Sequence, residues 1–445
     1  MKVLNSKIFD LINSCLFFIQ SKFDKVRQNS FILLNIDWFI LMAVFAVYIS
    51  SIFAVNNITA IFAFIVPLLV VLKVLITKGE KIELETCNFY LLAYLFICLI
   101  SNFTSSMPVQ SFYGFYKTLL YFAFYFAMCQ FLKNNKGFVA ILMLMIAFLV
   151  TGESIIGIMQ NAAGVANIAT WQDTSYVNPE DVLTRVYGTL KPYNPNLFGG
   201  WLIAGISSVI GLCALYISDK KIFPFLIALC SFLMSVLCLF YTGCRGAYIA
   251  LLVIIISLLL VLMRINKRCK TAAALIAVSG STFVLLHHGI FQRLMSIFIM
   301  RSDSSTSFRM NVYNSALQMF HDNPVWGIGV GNKVFREIYG LYMLSGFDAL
   351  SCYCVFLEIA VESGIFALLA FLMFLGSLLN SGFRKFVSSD NRAEKIVLFT
   401  AFTSVLAVMV HGFVDTIFFR PQIQFVFWTM ASILTVLSKE ETNGN

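Results

Sequence analysis

Apolar stretches long enough to cross a bilayer recur from end to end of this 445-residue chain, and that recurrence constrains its fold more than any motif. A helix of about 17 to 25 apolar residues spans a hydrocarbon core roughly 30 Å thick. Inside lipid, only a helix or a closed barrel satisfies its own backbone polar groups. About twelve such runs can be counted, near 33–54, 57–77, 88–106, 111–132, 137–159, 197–217, 222–241, 247–263, 271–287, 354–378, 396–412 and 421–437. With 60% hydrophobic residues and only 12% charged ones, there is too little polar surface to clothe a water-soluble domain of this length. The expectation is an all-α polytopic membrane protein.

The net charge of +9 is better read by location than as a sum, and it calls for no nucleic-acid partner. Lys and Arg are retained on the cytoplasmic side of membrane proteins. Here the exit of every even-numbered span is basic: Lys73 and Lys78, Lys133 and Lys136, Lys220 and Lys221, Arg264 and Lys267, Arg384 and Lys385. Both termini are therefore expected in the cytoplasm. The first 30 residues form a cytoplasmic or interfacial segment in which Ile8, Leu11, Ile12, Cys15, Leu16, Ile19 and Phe23 repeat at helical spacing. That pattern suits a helix lying on the inner leaflet. Asp10 and Asn13 interrupt its apolar run, and no small-residue cleavage site follows, which argues against a signal peptide. Residues 31–438 read as one transmembrane domain and 439–445 as a cytoplasmic tail.

Two outer segments stand out by length, one near 160–196 and one near 288–353; loops longer than about 15 residues are uncommon unless they have a task. In the second, Ser305, Thr306 or Ser307 can cap a helix whose Phe308, Val312, Ala316 and Phe320 share one face before "HDNP" stops it. This predicts an amphipathic helix across the outer mouth of the bundle. "GIGVG", 327–331, follows no strand, so it is a flexible turn rather than a dinucleotide fingerprint; its N–H groups are candidates to meet an anion.

Cations that the charge rule would exclude from the outer side are nevertheless present there: Arg185, Lys191, Arg245, Arg293, Arg301, Arg309, Lys333, Arg336 and Arg420. The preference for Arg points to phosphate or carboxylate oxygens, which its planar fork matches. A pyrophosphate is the most economical such anion. Arg245 sits in "YTGCRGAY", a hinge whose Gly243 and Gly246 allow close backbone approach and where Arg245 can point into the bundle. "HGFVDTIFFRPQ" sets His411, Asp415 and Arg420 at the same outer end, and ionisable groups at such depths are functional candidates. His287 and His288 read as an ordinary helix end. Glu358 and Glu362 lie one turn apart in "DALSCYCVFLEIAVESG". They either do chemistry or pair with outer arginines to hold helices together. Most of the 11 cysteines fall in spans, as small apolar fillers; Cys352 and Cys354 lack a nearby histidine, so neither a metal nor a cofactor is expected.

Taken in order, "YNPNLFGG", "TGCRGA", "DNPVWGIGVGN" and "FLEIAVESG" resemble the O-antigen ligase and O-antigen polymerase superfamily of bacterial membrane proteins, over about 185–425. "NPNLFGGWL" and "HGFVDTIFFRPQIQ" look closest to its branch labelled inorganic-carbon (bicarbonate) transporters. The resemblance implies a fold of the GT-C membrane glycosyltransferase type in the bacterial cytoplasmic membrane, with the site facing outward. It also implies transfer of glycan from a polyprenyl-pyrophosphate donor to a glycan or lipid acceptor, without metal or cofactor. Arg245 and Arg309, joined by Arg185, Arg336 and Arg420, would grip the pyrophosphate. Tyr353 occupies the slot where ligases of the family carry a histidine base. A phenol with a pKa near 10 is a poor base at neutral pH, so Glu358, one turn deeper, or His411 is expected to substitute. Transport of a small anion, and non-catalytic binding of lipid-linked glycan, remain the alternatives.

Overall fold

The computed structural model describes residues 2–53, 56–165, 185–265, 267–286, 291 and 304–439. Arg293, Arg301, His287 and His288 lie outside them. Each of the twelve apolar runs is helical over most of its described residues. They form α3 (Ile36–Phe53), α4 (Asn56–Ile76), α5 (Thr86–Thr104), α6 (Pro108–Lys133), α7 (Val139–Ala162) and α8 (Pro195–Ser218), then α9 (Ile222–Thr242), α10 (Arg245–Ile265), α11 (Lys267–Leu286), α14 (Val355–Ser388), α15 (Arg392–Gly412) and α16 (Pro421–Leu437). Nine of these, all but α6, α11 and α16, are long and apolar enough to cross a membrane, among the described residues. Ahead of them come α1 (Lys2–Gln28) and the single turn α2 (Phe31–Leu34); between α11 and α14 lie α12 (Ser304–Asp322) and the short α13 (Asn332–Tyr339). The protein is a multi-pass helical membrane protein.

α8 and α16 are the most enclosed of these helices. α8 packs on α7, α9 and α15, while α16 packs on α6 and α15. Helices in lipid gain little from burying apolar surface on each other, so close approach through small residues carries the packing. Gly205 of α8 lets Val150 of α7 come near, and Gly211 does the same for Thr400 of α15. Trp428 of α16 fills the centre, with Phe122, Phe374 and Phe427 around it at ring distances of 4.9, 5.7 and 4.9 Å.

The N-terminal segment is helical, as its spacing predicts, and amides fasten it. Gln20 Nε2 donates to the carbonyls of Val74 (2.8 Å) and Glu80 (3.0 Å), and Asn13 exchanges hydrogen bonds with the backbone of Ile82. In the long loop, α12 begins at Ser304 and ends at Asp322, close to the predicted bounds, and buries Val312, Ala316 and Met319.

α14 is not one continuous helix. Gly364 has φ 79° and ψ 179°, which breaks the helix after residue 363. Into that break runs the segment 324–331. Ile365 N donates to Pro324 O (2.8 Å), Ile328 N to Val361 O (2.9 Å) and Gly329 N to Glu362 O (2.9 Å). From the other side, Ser105 Oγ donates to Ile328 O (2.6 Å), and Ser111 Oγ accepts from Val330 N (2.8 Å). "GIGVG" is thus a strap clamped between α5, α6 and α14, and these N–H groups are spent on protein rather than held open for an anion.

Candidate functional site

The acids that open α14 are held by backbone, not by arginine. Glu358 is 1% exposed and accepts from Cys352 N at 3.2 Å; Glu362 accepts from Gly331 N at 3.0 Å. No ion pair joins either to an arginine among the described residues, so the expected helix-holding salt bridges are replaced by caps on two loop amides. Each cap satisfies a donor whose orphaning would cost about 1–3 kcal/mol.

The arginine that does find a carboxylate is Arg309, on α12. Its Nη2 lies 3.4 Å from Asp415 Oδ2, and its guanidinium stacks 5.6 Å from the centre of the Tyr353 ring. Asp415 follows α15, so the loop helix and the end of a span meet here. Tyr353 has φ 53°, a left-handed conformation that side chains avoid and that clusters at functional sites. Its carbonyl accepts from Tyr313 Oη at 3.1 Å, and its ring meets Phe308 edge-on. Burial pushes the Tyr353 phenol up to about 12, with Asp415 adding to the rise and Arg309 opposing it. The side chain is therefore a neutral platform for Arg309 at ordinary pH and unsuited to take a proton.

His411 stands beside this cluster in a slot made by two glycines from distant motifs. A Cβ at Gly246 of α10 would sit 2.6 Å from His411 Cδ2, and one at Gly200 of α8 would lie 3.1 Å from His411 Nδ1. The imidazole is 1% exposed; Nε2 is 3.5 Å from Cys244 Sγ, and Nδ1 is buried with no hydrogen-bond partner among the described residues. Burial lifts the Cys244 thiol to about 11, so it stays protonated. "NPNLFGG", "TGCRGA" and "HGFVD" thus converge on one ring, although the role expected of His411 as a base finds it walled in.

The remaining arginines divide. Arg185 donates from Nε to Thr242 O (2.7 Å) and from Nη2 to Asn196 Oδ1 (2.6 Å), bracing the hinge under Gly243. Arg245 opens α10 and is exposed. Arg336 pairs with Asp348 at 3.0 Å, both more than half exposed, and no described contact links it to Arg309. Arg420 caps α16, exposed. Asp415 is the residue that sequence reasoning undervalued: it was visible as an acid four residues past His411, but its partner lies 106 residues earlier.

Comparison with curated proteins gave no match. Residues 230–372 match the family model described as O-antigen ligase. That stretch holds the hinge, α12, the strap and the broken start of α14, while Arg185, His411, Asp415 and Arg420 fall outside it. Over these 143 of its 445 residues the chain is similar to the O-antigen ligase family.

Proposed function

We propose that the protein is an O-antigen ligase-like glycosyltransferase, working at the outer face of a bacterial cytoplasmic membrane. Both termini would lie inside. Glycan would move from a polyprenyl-pyrophosphate carrier to a hydroxyl on a glycan or lipid acceptor. The family match supports a lipid-linked glycan as substrate. The observation that carries the reading is the meeting of Arg309, Asp415 and Tyr353 where α12 crosses the end of α15.

Arg309, with Arg245 from the hinge and Arg420 nearby, takes the donor phosphates in this reading; Arg185 acts through the hinge, and Arg336 is left to the loop. The acceptor oxygen attacks the anomeric carbon, and the bond to the pyrophosphate breaks with its electron pair leaving on phosphate. The sugar inverts. Fixed positive charge aimed at the departing oxygen stabilises that transition state. The acceptor proton goes to a carboxylate, and Asp415 is favoured because it adjoins the cation that holds the leaving group. Glu358, capped by the Cys352 amide, is the second choice, and His411 positions the helices around the site.

The test is transfer by purified protein in nanodiscs supplied with polyprenyl-pyrophosphate-linked glycan and acceptor. Arg309→Ala should weaken donor binding, and Asp415→Asn should cut turnover by about 10²–10⁴, the usual worth of a general base, with donor affinity little changed. Loss with Glu358→Gln and not Asp415→Asn would transfer the role to Glu358. No transfer from any donor tried, together with equal donor binding by wild type and Arg309→Ala, would refute the proposal. Uptake of labelled bicarbonate into proteoliposomes, abolished by Arg245→Ala, would establish transport in its place.

A further inference from the structure

Glu153 of α7 is a buried carboxylate to which the cluster around Arg309 gives no part. It is 5% exposed and stands nine residues before the end of the helix at Ala162, about 14 Å at about 1.5 Å per residue. An ionisable group that deep in an apolar helix is a functional candidate. Its two oxygens accept from one residue, Thr189, at N (2.8 Å) and at Oγ1. Seven residues further along α7, Gln160 Oε1 accepts from Gly188 N (2.9 Å) and Tyr187 N (3.2 Å), while Gln160 Nε2 donates to Gly188 O (2.9 Å). The non-helical segment 187–189 therefore runs down the side of α7 for about 10 Å.

Non-helical backbone at membrane depth is tolerated only where protein satisfies its polar groups. Glu153 and Gln160 supply that satisfaction. Gly188 has φ 63°, and a Cβ there would lie 2.5 Å from Glu153 Oε2, so the segment approaches the acid as closely as glycine allows. Val186 and Leu190 on either side are buried.

The upper end of the segment reaches the hinge. Val186 N donates to Tyr241 O (3.2 Å), Arg185 Nε donates to Thr242 O (2.7 Å), and a Cβ at Gly243 would meet Arg185 Nε at 3.1 Å. Gly243 is left-handed, with φ 63°, and α10 begins two residues later at Arg245. The backbone from which Arg245 departs is thus braced by Arg185 and Val186, and their segment is held by α7.

We propose that Glu153, with Gln160 beside it, is a positioning residue for donor binding: it fixes segment 185–189 against α7, and that segment braces the hinge that presents Arg245. The inference rests on the reading of Arg245 as a ligand of the donor phosphates. Neither α7 side chain touches the donor; both act by ordering the hinge beforehand, which lowers the cost of ordering it on binding.

The test uses the full chain in nanodiscs, with amide hydrogen exchange and with binding of undecaprenyl pyrophosphate. Glu153→Leu keeps most of the side-chain volume and removes both acceptors. The amides of Gly243 and Cys244, each hydrogen-bonded within the hinge, should then exchange faster by about tenfold or more. Carrier affinity should fall in Glu153→Leu and in Arg245→Ala, and the double variant should bind within about twofold of Arg245→Ala alone, as expected of two residues acting through one contact. Glu153→Gln, whose amide oxygen still accepts from Thr189 N, should recover most of both readouts. Wild-type exchange at Gly243 and Cys244 in Glu153→Leu overturns the proposal, as do losses of affinity that multiply in the double variant. Failure of the wild-type protein to bind the carrier would refute the donor reading itself, and hinge exchange then decides the coupling to α7 by itself. If Glu153→Leu does not fold, Gln160→Ala, at the less buried end of the segment, carries the test with the same outcomes.

Discussion

Replacing Gly364 by alanine tests the broken helix most directly. At φ 79° and ψ 179° the residue lies in a region open essentially to glycine alone, where any side chain costs about 1–3 kcal/mol. The added Cβ would also overlap the carbonyl of Val325 and approach Trp326 N to 2.8 Å. Both obstacles are backbone, so no rotamer relieves them; the strap must withdraw. Withdrawal releases the hydrogen bonds from Ile365 N, Ile328 N and Gly329 N, each worth about 1 kcal/mol net. Together the change should cost about 4–6 kcal/mol, a large share of the 5–15 kcal/mol typical of a folded protein. Gly376, in the same helix, is the control: a Cβ there meets nothing within 4 Å. Alanine at that position should be neutral or stabilising by up to about 1 kcal/mol. Thermal unfolding of the two variants in the same detergent makes the comparison. A Gly364→Ala protein that melts with wild type and with Gly376→Ala would refute both the break and the strap.

Two titrations add to this. Tyr353 stays protonated until about pH 12, so a pH–rate profile of transfer should have no limb belonging to it below about pH 11. Tyr353→Phe should accordingly keep the same profile, and a lost basic limb would show the phenol titrating in the reaction. For Glu83, burial pushes the carboxyl up but Lys439 and Lys133 outweigh it, and its pKa ends below the usual value. A depressed carboxylate contributes stability that is present above its unfolded pKa and lost as pH falls through its folded one. Melting temperature should therefore fall on the acid side in wild type, and less steeply in Glu83→Gln; parallel acid limbs would exclude the contribution.

What could be read from the sequence was whatever depends on local transfer free energy or local periodicity. The apolar runs became helices because a window of neighbouring residues decides whether a segment can leave water. The α12 stripe of Phe308, Val312 and Ala316 was legible for the same reason. The partners of Glu358 and Glu362 were not. Each caps a loop amide, and a backbone donor leaves no trace in residue type. Arginines were the natural guess because charge is visible in a sequence and amides are not. The slot for His411 was equally hidden, since Gly200 and Gly246 look like ordinary hinge or packing glycines until the fold sets them on either side of one ring. The pair "SG" at 363–364 was the one available hint of the break, a glycine inside a strongly helical run.

The break also changes what the bilayer is asked to accept. Beyond Gly364 the helix still has residues 365–388, about 36 Å at about 1.5 Å per residue, enough to cross the hydrocarbon unaided. Glu358 and Glu362 belong to the short segment before it, which the strap and α12 enclose. An acid at the centre of a membrane helix carries an insertion penalty of about 2.5–3.5 kcal/mol. Here the lipid-crossing half is free of carboxylates, so membrane integration and the shaping of the candidate site draw on different residues of one helix. Substitutions in either half can then alter one without disturbing the other.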